Sequence, residues 1–169
     1  HMDIVYMSKV FSNTPDYQYY IDADKVIKGG SGYCISLVDG KEVFDKSKDI
    51  ELPYEIENIY PDYSIYYDLI PEVKDTAYGF LTRGCPNKCG FCCVWKKEGL
   101  VTHKVADLSE WWNGQKEIIL LDANILAYRN HIELLEQLAQ SGASVDFTQG
   151  LDARFINEKN VVLLKQIKI

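Results

Sequence analysis

Four of the chain's five cysteines fall within nine positions, in the stretch GFLTRGCPNKCGFCC (79–93), as Cys85, Cys89, Cys92 and Cys93. Thiolates are soft ligands, and three of them on one loop suit zinc or an iron–sulfur cluster. Cys85, Cys89 and Cys92 are spaced C-x3-C-x2-C. A closed structural zinc site takes four ligands, usually as two separated pairs. Here a single triplet stands, and Cys93 directly adjoins its last member. Two adjacent residues rarely both turn inward onto one small ion. Cys34, His103 or His131 could supply a fourth zinc ligand, although neither histidine has a standard spacing. A 4Fe-4S cluster held by three cysteines is the other solution, and it leaves one iron open to a substrate or cofactor. Cys93 and Cys34 read as small buried hydrophobes, the usual place of a free cysteine.

The elements around this loop alternate. DIVYMSKVF (3–11) is apolar and β-favouring, and reads as a strand. A polar connection over 12–19 follows, then a short strand at 25–28 that runs into a turn at Gly29, Gly30 and Gly32. EIENIYPDYSIYYDLIP (55–71) has poor periodicity and reads as a linker with one short helix. From Thr76 the pattern changes. TAYGFLTRG (76–84) is a strand that ends at the cysteine loop, and VADLSEWWN (105–113) is a candidate helix. EIILLDAN (117–124) is a continuous apolar run of the buried-strand type. Asn130, with Glu133 as capping-box partner, should open a helix that Gly142 ends. Ile132, Leu135, Leu138 and Ala139 share one face of it. ASVDFTQG (143–150) is another strand, and 157–167 another helix. Such repetition predicts a parallel sheet. The expected fold is α/β: a partial (β/α) parallel barrel of about three βα units, preceded by a truncated Rossmann-like module. The expected division is 1–72 for that module and its linker, and 73–169 for the barrel half. The rhythm breaks off early, so the chain is expected to be a piece of a larger protein trimmed at both ends, with His1-Met2 a cloning remnant.

Bulk properties narrow the function classes. An apolar content of 47% suffices for a core, and a formal charge of −7 argues against charge-driven nucleic-acid binding. The tyrosines lack interleaved basic residues, so they read as packing groups and not as a base-stacking platform. The longest apolar runs, such as 118–127, are too short to span a bilayer. The clustered thiols fit a reducing compartment, which predicts a cytoplasmic location. Between Arg83 and Lys104 the charge reverses: Arg83, Lys88, Lys96, Lys97 and Lys104 stand against Glu98 alone. A locally positive loop inside an acidic chain suits an anionic ligand or an acidic electron donor.

The triplet with Phe91 in its aromatic slot, C-x3-C-x-aromatic-C after a βα strand, resembles the radical S-adenosylmethionine superfamily. YGFLTRGCPNKCGFC, with IYPDYSIYY and KVIKGGSGY upstream, is similar to the subgroup that carries a Rossmann-like, cobalamin-domain-related module before its barrel. The resemblance covers 73–154 well and 3–169 loosely. It implies that Cys85, Cys89 and Cys92 hold a 4Fe-4S cluster whose open iron chelates S-adenosylmethionine. Reductive cleavage would give a 5′-deoxyadenosyl radical, which abstracts hydrogen from a substrate. Phe91 would lie near the adenine. At the place of the family's glycine-rich, acidic motif near the methionyl amine the chain reads LLDAN, so the resemblance makes Asp122 the candidate, with Asn124 beside it, although the glycines of that motif are missing here. Arg154 would pair with the methionyl carboxylate, with Asp152 and Gln149 supporting it. No D-x-H-x-x-G stretch occurs, so cobalamin is not supported. The implied partners are S-adenosylmethionine, a substrate and a reductant protein such as flavodoxin or ferredoxin. The parent would be an enzyme. The fragment alone is expected to be inactive, weak in cofactor affinity and prone to self-association. The alternatives are a structural zinc module and an iron–sulfur electron-transfer protein.

Overall fold

The computed structural model describes residues 1–50 and 62–169. The chain opens with β1 (Met2–Ser8) and β2 (Ala23–Gly29), paired in parallel with Met2 opposite Ala23 and Ser8 opposite Gly29. The expected glycine turn follows. Gly30 sits at φ +95°, and the one-turn helix α1 (Ser31–Cys34) begins after it. A Cβ at Gly30 would lie 2.5 Å from the Lys9 carbonyl oxygen, so the residue must be glycine for the chain to pass this close to the end of β1. The next element adds to the expected order. β3 (Ile35–Val38) and β4 (Lys41–Phe44) form an antiparallel hairpin. Its turn is Asp39-Gly40, with φ +51° and +73°. An Asp-Gly pair between apolar segments is the sequence signal for this hairpin, because both central residues need positive φ. The linker expected over 55–71 falls largely outside the described residues. Its described part carries a single 3-10 turn, Ser64–Tyr66, and another turn, Pro71–Asp75, follows.

Three strands form the parallel sheet: β5 (Thr76–Gly79), β8 (Glu117–Leu120) and β9 (Ser144–Phe147), in the order β5-β8-β9. Between β5 and β8 in sequence lie β6 (Thr82–Arg83) and β7 (His103–Lys104), a short antiparallel pair, and the one-turn helix α2 (Val94–Lys97). α3 (His131–Ser141) joins β8 to β9, and α4 (Glu158–Leu164) follows β9. The architecture is therefore mixed α/β with parallel strands, and the sheet does not close into a barrel. Ile118, Leu120 and Val145 of the sheet bury against Leu134, Leu135 and Leu138 of α3, all 1% exposed or less. After α4 the chain returns alongside β9, where the Val145 N–H donates to the Lys168 carbonyl at 2.7 Å. Among the described residues no helix is long and apolar enough to cross a membrane.

Three local expectations change. The strand expected over 76–84 breaks after Gly79, because the Leu81 and Thr82 amides leave the ladder for the Asp122 carboxylate. The helix expected over 105–113 is only a 3-10 turn, Leu108–Glu110. There the Asp107 N–H donates to the Glu110 carboxylate at 2.6 Å, while Trp111 turns into the core against Gly79. Burying that indole takes precedence over extending the turn. At α3, Asn130 occupies the N-cap position but its side chain makes no capping bond. A full capping box lies at α4, where the Asn157 side chain accepts from Lys159 and Asn160 N–H, and Asn160 accepts from Asn157 N–H. Gly142 ends α3 as expected, at φ +67°.

Candidate functional site

The cysteine loop leaves the sheet from the end of β5 and is pinned at both ends. Gly84 donates its N–H to Glu98 at 3.0 Å and accepts from Thr102 Oγ1 at 3.1 Å, and the Cys85 N–H donates to the Gly99 carbonyl at 3.2 Å. Arg83 pairs with the same Glu98 at 2.8 Å. A lone acid in a basic run carried this signal, since an isolated opposite charge is well placed to pair internally. Gly84 sits at φ +85°, and a Cβ there would lie 2.3 Å from the Val101 carbonyl oxygen. Gly84→Ala should therefore destabilise the protein by about 2 kcal/mol, checked by urea denaturation. An unchanged midpoint would show that the turn relaxes freely.

Inside the loop, Cys92 donates its N–H to the Cys89 carbonyl at 3.1 Å, which places both cysteines on one turn. Trp95 Nε1 donates to the same carbonyl at 3.4 Å. Cys85 is buried, Cys89 and Cys92 are half-buried, and all are free thiols. Among the described residues, no group of three or more His, Cys, Asp or Glu side chains is gathered closely enough to hold an ion. Cys93 begins α2, with its carbonyl accepting the Lys96 and Lys97 amides at 3.0 Å. Phe91, at the tip of the loop, is 88% exposed. Of the basic run, Arg83 and Lys104 are neutralised by Glu98 and Asp107, and Lys97 reaches Ser31 Oγ of α1 at 2.8 Å. Lys88 and Lys96 remain exposed beside the loop.

The ends of the other two strands meet this loop. Asp122, just past β8, is buried and accepts from Leu81 N–H at 2.9 Å, Thr82 N–H at 2.6 Å and Thr82 Oγ1 at 2.5 Å. Burial pushes its carboxyl up to about 6, against the pull of these donors and of Arg83. In this arrangement Asp122 holds the segment that leads into the cysteines. Asn124 donates from Nδ2 to Asp152 Oδ2 at 3.2 Å and towards Cys85 Sγ at 3.8 Å. Asp152, after β9, also receives Asn87 Nδ2 at 2.9 Å, and it is gripped by Arg154 through Nε at 2.8 Å and a second nitrogen at 2.6 Å. The Arg154 guanidinium, with Asn87 next in effect, holds the Asp152 carboxyl well below the usual carboxylate range. Arg154 is itself held up by its hydrogen bonds to Asp152. Gln149 is exposed in the turn after β9.

The structure thus brings together Cys85, Asn124, Asp152 and Arg154, and sets Phe91 and Gln149 at the surface. Asn87, Thr82 and Glu98 are structural participants that sequence reasoning did not single out. Of the candidate fourth zinc ligands, Cys34 is buried with its thiol on the Gly30 and Lys48 carbonyls. His103 is exposed and contacts the Val101 carbonyl, and His131 lies between the Tyr128 carbonyl and Asn160. By donor chemistry alone the loop suits a thiolate-bound metal group, since it carries three soft thiols, although among the described residues these are not gathered around one point; close by, the buried Asn124 Oδ1 has no hydrogen-bond partner. No protein-family model, curated protein or solved structure matches the chain.

Proposed function

We propose that this chain is the cluster-bearing part of a radical S-adenosylmethionine enzyme. One observation carries the reading. The cysteine loop follows β5, Asn124 follows β8, and Asp152 with Arg154 follows β9, so the C-terminal ends of three parallel strands converge on one place. Ligand sites of parallel α/β folds form at that end. When bound, a 4Fe-4S cluster with S-adenosylmethionine supplies reductive cleavage to a 5′-deoxyadenosyl radical for hydrogen abstraction. The chain's own residues bind and orient. Cys85, Cys89 and Cys92 would hold the metal group, and Cys34, His103 and His131 are engaged elsewhere, which disfavours a zinc site of four ligands. Arg154, exposed and already bidentate on a carboxylate, suits a ligand carboxylate by the same geometry. The unpartnered Asn124 oxygen suits a ligand amine. Phe91 offers an apolar ring to an adenine, with Gln149 at the rim, and Asp122 acts by positioning. Exposed Lys88 and Lys96 suit an acidic electron donor such as flavodoxin or ferredoxin. In the same reading β1, β2 and the Gly30 turn belong to a Rossmann-like module, and β5, β8 and β9 to a barrel-type sheet.

Anaerobic reconstitution with iron and sulfide should give a brown protein with about four irons per chain. Adding S-adenosylmethionine should change the electron paramagnetic resonance spectrum of the reduced cluster. One tightly held zinc with no capacity for iron would overturn the reading. A cluster indifferent to S-adenosylmethionine would favour simple electron transfer.

A further inference from the structure

Asn124 joins two groups that do not otherwise meet. It is 4% exposed, lies 39 positions from Cys85 in sequence, and aims one amide nitrogen at both Cys85 Sγ and Asp152 Oδ2. The orientation of that amide follows from its neighbours. Asp152 is kept ionised by Arg154 and Asn87, so it only accepts, and turning the amide over would set its oxygen against a carboxylate. The buried Oδ1 is left without a partner, a cost that a purely structural position would shed by carrying an apolar residue. The amide nitrogen lies between the Asp152 carboxylate at 3.2 Å and, at 3.8 Å, the sulfur of a candidate ligand. A hydrogen bond to a ligating thiolate draws charge from the sulfur and favours the reduced state of the metal group.

We propose that Asn124 is a positioning residue that raises the electron affinity of the metal group at the cysteine loop by donating to Cys85 Sγ, with Asp152 fixing the direction of its amide. The proposal rests on the reading that Cys85 is a metal ligand. It adds what that reading does not assign: how the end of the second parallel strand tunes the site.

The test reconstitutes the full chain and the variants Asn124→Ala, which removes the amide without adding charge, and Asn124→Leu, which fills its space with no polar atom. Each is titrated with dithionite against redox mediators. Both variants should shift the reduction equilibrium at least about tenfold towards the oxidised cluster, about 59 mV for one electron. Resonance Raman of the unmutated protein should show an iron–thiolate stretch that moves on exchange into D2O, which keeps the test independent of variant folding. Equal potentials with full iron content, or no deuterium-sensitive stretch, would overturn the inference and leave the cluster reading standing. If iron is refused but Co2+ gives thiolate charge-transfer bands, the cluster reading fails. The inference then stands if Asn124→Leu moves those bands and falls if it does not. No metal of any kind at these thiols would overturn both.

Discussion

Cys92→Ser should reduce iron uptake from about four atoms per chain to fewer than one, while Cys93→Ser and Cys34→Ser remain close to the unmutated level. A serine hydroxyl is a hard ligand and does not replace a soft thiolate. Cys93 has a backbone role. It opens α2, where its carbonyl takes the Lys96 and Lys97 amides, and these bonds survive loss of the sulfur. Cys34 lies 1% exposed at the base of the β3–β4 hairpin. Burial, and then the Asp49 charge, push its thiol up, which disfavours the thiolate that metals require. Colorimetric iron and sulfide analysis after anaerobic reconstitution checks all three. Loss of the cluster in Cys93→Ser but not in Cys92→Ser would show that the ligand set is wrongly assigned.

Asp122→Ala should cost about 3 kcal/mol of folding stability and abolish metal uptake, although Asp122 lies outside the cysteine loop. Removing the carboxylate strands the Leu81 N–H, the Thr82 N–H and the Thr82 hydroxyl in the interior. Each buried donor left unmade costs on the order of 1–3 kcal/mol, and partial relaxation keeps the total near the lower sum. The same carboxyl makes stability depend on pH. Its folded value of about 6 lies above the ordinary 3.8. Between these values the folded chain holds a proton that the unfolded chain has released, so the contribution is complete below about 4 and lost as pH rises through 6. The difference corresponds to about 3 kcal/mol. Asp152 works in the opposite sense: its folded value is lowered, so its contribution is present above the ordinary carboxylate range and lost as pH falls below it. Urea midpoints measured from about pH 4 to 7 should decline for the unmutated chain and flatten for Asp122→Asn. A parallel decline in both proteins would place the titrating group elsewhere.

The parallel strands, α3 and the cysteine loop are legible in residue order because each is written locally. Ile118 to Leu121 form a continuous apolar run, Leu135 and Leu138 fall on one helical face, Gly142 stops the helix, and Cys85, Cys89 and Cys92 are spaced as ligands. The Asp39-Gly40 hairpin is equally local, though the acids and prolines that follow it mask the signal. The break after Gly79 is only hinted at locally, by the glycine itself, which could equally mark a bulge or a close approach. It depends on an acceptor 41 positions away, Asp122, whose carboxylate draws the Leu81 amide out of the ladder. The roles around the cysteines are decided the same way. Asn87 and Asp152 meet across 65 positions, and Asn124 and Asp152 across 28. Local periodicity records which face of an element is apolar and where the run 117–124 turns polar, while Asp122, Asn124 and Arg154 are nominated as site residues through the family resemblance. Which of them supports the loop, which touches a thiol and which presents an exposed guanidinium follows from the order and register of β5, β8 and β9, because only strand pairing sets the distances between residues so far apart in the chain.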